Sequence, residues 1–431
     1  MLAFWGFATI IIILILLMTK KTTVQFALAI IPVLTALFAG FTFVDITGFA
    51  SEGLKSILAT GLTCLFATLL FGALFDAGMF DPVIKGVIKV SGGDPLKICL
   101  GTALIGMLTH LDGSSTSTYL ISISALLPIY MAMKMSPLTL AVIVALGSGV
   151  MNILPWGGPT LRAATVLSMD VGELYRTMVP MQIVGLLCAF VAAGLLGLQE
   201  RKAVSYVKGG SGIQLEMGKL EGADELRRPK LFLVNVAFVV LVMVVLIAGW
   251  APSAVLFMMA LPVALIINFR GVDLQKKRVE AHSINALGTT SVIFCAGIFS
   301  GVLTGTGMME AMAMGIASVV PTQLGGVMQY LMVIFSVPFC FIFDPDSFYY
   351  GVLPVLSQAA AQFGVEPVNM ARAAITGMIS VGTACCPLIG STWLLVGLTK
   401  INLGDLQKKT FPWAFAISIV MGVTGILIGI I

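Results

Sequence analysis

The stretch "MLTHLDGSSTSTYLI", Met107–Ile121, lies between two apolar runs. It places a histidine, an aspartate, a glycine and five consecutive Ser/Thr residues where the flanking sequence is almost all hydrocarbon. Three further interruptions share this character: "NILPWGGPTLR" (152–162), "FDPDS" (343–347) and "GTACCPLIGST" (382–392). An aspartate at the centre of a membrane helix costs about 2.5–3.5 kcal/mol on insertion scales, so such residues are retained for pairing or function. Irregular backbone at membrane depth is tolerated only against protein or a water-filled cavity.

That the surroundings are membrane follows from composition. The 431 residues are 58% hydrophobic and only 10% charged, against about 25% charged in soluble domains. Apolar windows long enough to cross roughly 30 Å of hydrocarbon recur throughout. They fall at about 2–18, 25–46, 57–78, 137–160, 179–198, 231–249, 251–268, 285–308, 373–398 and 412–430. Segments 97–133 and 325–360 are too long for one span, are broken in the middle, and read as re-entrant hairpins. The fold class expected is an all-α polytopic membrane protein of about ten transmembrane helices plus two re-entrant hairpins. The first window has neither an n-region nor a cleavage site and reads as a retained span. The seven cysteines show no metal-ligand spacing and read as packing residues.

With both termini outside, 20 of the 24 Lys and Arg residues fall in cytoplasmic segments; the exceptions are Lys55, Arg162, Arg176 and Arg372. The positive-inside rule selects that orientation, in a cell's inner (plasma) membrane. Residues 199–230, with "KGGSG" and "KLEGADELRRPK", read as a cytoplasmic linker between halves 1–198 and 231–431.

The halves echo each other in order. "FGALFDAGMFD" (71–81) matches "SGVLTGTGMME" (300–310), and Asp112-x-x-Ser115 matches Asp344-x-x-Ser347. "ALLPIY" (125–130) matches "GVLPVL" (351–356), "MSPLTLA" (135–141) matches "VEPVNMA" (365–371), and "PWGGPT" (155–160) matches "PLIGST" (387–392). An odd number of crossings separates equivalent spans, so the repeats run in opposite senses. This is the plan of secondary transporters, whose substrate site lies between inverted repeats built from discontinuous helices.

Two hairpin tips and two helix breaks can therefore meet. Pro155, Pro159 and Pro387 break the helices. Gly113, Ser114, Ser115, Thr116, Asn152, Gly157, Gly158, Thr160, Ser347, Gly390, Ser391 and Thr392 offer hydroxyls, an amide and freed N–H groups, and half-helix N-termini favour anions. Arg162 is the fixed positive charge for a carboxylate, or else snorkels to an interface. Asp112, Asp344 and Asp346 suit a proton or metal ion; His110 is either a packing residue or a proton relay. His282 reads as a solvated loop residue, and Asp76 and Asp81 as interfacial.

On "GDPLKI", "LDGSSTSTYLISISALLPIY", "GVMNILPWGGPTLRAA", "FYYGVLPVL" and "STWLLVGL", the chain resembles the citrate–metal–proton symporter family, CitMHS, of the ion transporter superfamily, nearly end to end. The resemblance implies import of citrate complexed with a divalent cation of the magnesium or calcium type, coupled to protons, with no permanently bound cofactor. Relatives also imply a homodimer. The charge balance explains such coupling. Moving a trivalent anion inward against 100 mV costs about 7 kcal/mol, and pairing it with a divalent cation cuts this to about 2.3 kcal/mol. A sodium- or proton-coupled di- or tricarboxylate carrier without metal is the alternative. An intramembrane aspartyl protease is the rival from another class, but its G-x-G-D motif does not occur.

Overall fold

The computed structural model describes residues 1–79, 81–204 and 224–431. Of the expected linker, residues 205–223 therefore lie outside the described residues. Helices α1 (Leu2–Met18) and α2 (Val24–Phe38) precede the long α3 (Phe43–Asp76). A capping box starts α3, with Thr42 and Asp45 satisfying each other's backbone N–H groups. The short amphipathic α4 (Asp81–Ser91) follows. Next come α5 (Pro95–Thr109), a 3₁₀ turn His110–Asp112 and α6 (Ser115–Ala132). Helix α7 (Pro137–Met151) unwinds over 152–157 and resumes as α8 (Gly158–Val166), before the long α9 (Val171–Ala203).

After α10 (Phe232–Ala248) and α11 (Ser253–Asn268) the series recurs. Helix α12 (Val272–Gly305) is 34 residues long, as is α3. It is followed by α13 (Met308–Ala317), the one-turn α14 (Thr322–Gly325) and α15 (Met328–Phe339). A polar break then leads through a π-helical turn, Ser347–Val352, into α16 (Leu353–Ala361). Helix α17 (Pro367–Ile375) gives way to irregular backbone around a 3₁₀ turn, Thr383–Cys385, and the chain ends with α18 (Gly390–Thr399) and α19 (Leu403–Leu427). Prolines open both α7 and α17, where a missing N–H costs nothing. No strand occurs among the described residues, and six helices are long and apolar enough to cross a bilayer.

Helices α3 and α12 form the central seam, and their contacts fix its direction. Phe49 meets Gly305, Gly53 meets Gly301 and Gly297, Gly61 meets Phe294, Gly72 meets His282, and Asp76 meets Arg278. As one number climbs the other falls, so equivalent helices of the two series lie antiparallel along their whole length. The approach is closest at Gly53, where an added Cβ would collide with the backbone of Gly297 and Gly301. Helix α2 packs on α12 and α11 on α3.

Two expectations change. Helix α3 begins at Phe43 and α12 at Val272, each about a dozen residues before the apolar window expected. The charged stretch "VDLQKKRVEAHS" keeps helical hydrogen bonding beyond the hydrocarbon-like part. His282 is therefore helical and mostly buried, not a solvated loop residue. Its Nε2 lies 2.8 Å from Asp76 Oδ2, to which Arg278 Nη1 also donates at 3.1 Å.

The first polar break is a true hairpin. Thr102 Oγ1 bonds Tyr130 OH, and Thr109 Oγ1 bonds Ser122 Oγ, both at 2.9 Å, so α5 and α6 run antiparallel from a shared tip. The second break is more open, since α15 packs mainly on α17 and α19 instead.

Candidate functional site

The first hairpin tip turns on Gly113, whose φ of 75° is left-handed and suits a residue without Cβ. Asp112 Oδ1 accepts from Ser114 N at 2.9 Å, closing the tip. Trp156, in the first helix break, donates from Nε1 to Leu111 O at 2.8 Å and stacks on Phe71 of α3 at 4.4 Å between centroids. Tip, break and seam are thus tied together by one indole.

The breaks also meet each other. Asn152 Nδ2 donates to Ile379 O at 2.7 Å, and its Oδ1 accepts from Gly158 N at 3.3 Å. Ile379 has a φ of 55°, a strained conformation for a β-branched residue. Its carbonyl held by Asn152 and its N–H donating to Cys340 Sγ at 3.4 Å keep it there. Equivalent threonines brace the two breaks. Thr160 Oγ1 donates to Ile153 O at 2.7 Å and Thr392 Oγ1 to Thr383 O at 3.1 Å. Both hydroxyls are fully buried and spent on backbone, so neither faces a ligand here.

Arg162 joins the series. From α8 its Nε donates to Asp346 Oδ1 at 2.7 Å, and the two side chains are only 18% and 20% exposed. Breaking a buried pair is costly because it strands the remaining charge. Asp344 is separate: its carboxylate caps Ser347, accepting from N at 2.8 Å and Oγ at 3.0 Å. Among the described residues no three His, Cys, Asp or Glu side chains gather as a metal cage.

A cavity of about 230 Å³ opens beside Arg162. Asp112, Gly113, Ser114, Trp156, Gly158 and Arg162 line one side; Cys64 and Thr68 of α3 and Asn285 and Thr289 of α12 line the other. A second cavity of about 150 Å³ shares Arg162 and Thr289 and reaches Tyr350 of the π-helical turn. Towards residues 49–56 and 300–305 the seam holds a third opening, about 340 Å³, lined by Glu52, Ser56, Ser168, Ser300 and Thr304. At the other end the His282 ring lies against Gly72, and the Asp76 cluster closes the seam. Separate openings therefore line the α3–α12 seam, with the Arg162 cavity between the Glu52 end and the Asp76 cluster.

Of the residues expected at the site, the structure gathers Asp112, Gly113, Ser114, Gly158 and Arg162 round one cavity. Asn152 and Gly157 position its wall, with Pro155 in the break and Pro159 in the first turn of α8. Ser115 and Thr116 start α6 outside the cavity lining. Pro387, Gly390 and Ser391 belong to the second break, where Cys386 Sγ meets Phe343 O at 3.5 Å and Trp393 Nε1 meets Pro387 O at 2.8 Å. They do not line the Arg162 cavity. His110 is buried beside it, with Nδ1 2.9 Å from Thr118 Oγ1. The wall formed by Cys64, Thr68, Asn285 and Thr289 was missed. Its signal is polar pairs four residues apart, which share a helix face.

Comparison with known proteins agrees with this architecture. The family model described as citrate transporter, CitMHS, matches residues 5–377. The chain is 40% identical to a citrate transporter of Bacillus subtilis (strain 168), covering all of both chains. It is 39% identical to the Mg(2+)/citrate complex secondary transporter of the same organism, over 100% of this chain and 99% of that one. Its fold is similar to the crystal structure of the Alcanivorax borkumensis YdaH transporter, reported as having an unusual topology. There the TM-score is 0.58 at 16% identity, over 89% of this chain and 86% of that one. These matches set the protease reading aside: this multi-pass membrane protein is a transporter, and it belongs to the citrate transporter family, CitMHS.

Proposed function

We propose that the protein imports citrate as its complex with a divalent cation, by proton symport and alternating access. The observation that carries this reading is the shared cavity of Asp112 and Arg162. One wall offers a guanidinium, the Ser114 hydroxyl and the N-terminus of α8 for carboxylates, and the facing wall the Thr68 and Thr289 hydroxyls; beside them Asp112 offers a carboxylate for the cation or a proton. With no three-ligand cage among the described residues, the cation is best carried as substrate, held by citrate itself. The Mg(2+)/citrate name of a relative 39% identical supports the same choice.

In this reading 1–198 and 231–431 are halves joined through a cytoplasmic linker, both termini lie outside, and the tips re-enter the inner membrane from opposite faces. A homodimer completes the picture. Substrate reaches Arg162 from the Glu52 side of the seam and leaves past His282 and Asp76. The second reading is a sodium-coupled carboxylate carrier that takes no metal. Proteoliposomes decide between them: citrate uptake should require magnesium or calcium and an inward proton gradient. Uptake driven by sodium with divalent cations chelated would favour the second reading.

A further inference from the structure

A groove of about 520 Å³ lies away from the seam, between α4, α5 and α9. Its walls are Val83, Gly86, Val87 and Val90 of α4, Leu100, Gly101 and Leu104 of α5, and Phe190 of α9. Lys97 lines the same groove one turn before Leu100. Residues 97, 100, 101 and 104 share one face of α5, so the groove presents a cation at one end and hydrocarbon below it. Lys97 is exposed and makes no ion pair with another described residue.

Helix α4 fits the same geometry. Its valines face the groove while Lys85 and Lys89, four residues apart, lie on the opposite face and are exposed. An amphipathic helix of this kind lies in the bilayer interface, apolar face down and lysines towards the headgroups. Lysines in that position favour anionic lipid.

We infer that this groove is a binding site for one anionic phospholipid, with its phosphate at Lys97 and an acyl chain along Leu100, Leu104 and Phe190. The charge at the mouth selects the headgroup, and the apolar length below it selects a chain rather than a soluble anion. Such a lipid would rest on α5, the helix that carries the tip with Asp112.

The site is tested by native mass spectrometry of purified protein, and by exchange in nanodiscs of phosphatidylcholine doped with phosphatidylglycerol. Wild type should retain one phosphatidylglycerol in preference to phosphatidylcholine. Lys97→Glu should reduce that retention at least tenfold. Gly86→Leu should do the same by filling the groove, since an added Cβ there meets no atom within 4 Å. Equal retention of the two lipids by wild type would mean annular lipid only and overturn the site, whatever the variants do. Unchanged retention in both variants would overturn it as well.

Discussion

Arg162 Nε donates to Asp346 Oδ1 at 2.7 Å, and this contact ties the half-helix of the first series to the tip of the second. A substrate carboxylate arriving in the cavity competes with Asp346 for the guanidinium. Arg162→Gln should abolish uptake and lower stability by about 3–5 kcal/mol, the cost of stranding a buried charge. Adding Asp346→Asn should restore the melting temperature without restoring uptake. Recovery of both would make the pair purely structural.

The Gly53–Gly301 contact lets α3 and α12 approach closely. Gly53→Val should cost about 1–3 kcal/mol through overpacking. Gly48→Ala, on the same helix but with no neighbour within 4 Å, should instead stabilise by up to about 1 kcal/mol through helix propensity. Melting curves in detergent compare the two, and equal melting temperatures would contradict the tight seam.

The braces Thr160 and Thr392 are expected to differ in size. Thr160→Val leaves the buried Ile153 carbonyl without its donor, at about 1–3 kcal/mol, whereas Thr383 O also accepts from Cys386 N at 3.1 Å, so Thr392→Val should cost less. Serine should recover most of the loss. A loss of citrate affinity in Thr392→Val with stability intact would instead return that residue to the binding site.

Asp94 caps α5 and is paired with Arg201, whose hydrogen bond, with that from Leu96 N, holds its carboxyl below the usual range. A depressed folded pKa stabilises above the unfolded value, about 3.9, and that contribution fades as pH falls through the folded one. The melting-temperature difference between wild type and Asp94→Asn should therefore be constant from about pH 8 to 5 and shrink below about pH 4. A difference that grew on acidification would contradict the pairing.

The order of the elements was legible in the sequence because each device is local. Gly113, Pro155 and the aspartates interrupt hydrocarbon in ways few other structures require. The ends of α3 and α12 were not, because beyond the apolar window a charged amphipathic helix reads like a loop; His282 was misplaced for that reason. Thr160 and Thr392 looked like ligand hydroxyls, yet an unwound helix must first satisfy its own carbonyls. The far wall of the cavity was hidden because Cys64, Thr68, Asn285 and Thr289 acquire meaning only once two distant helices lie antiparallel.

Calorimetric titration of the purified protein with citrate, with magnesium, and with both together addresses the metal–citrate cavity most directly. Saturable heat is expected only when citrate and magnesium are both present, and it should disappear in Arg162→Gln and lose its metal dependence in Asp112→Asn. Citrate binding equally well with all divalent cations chelated would contradict the account.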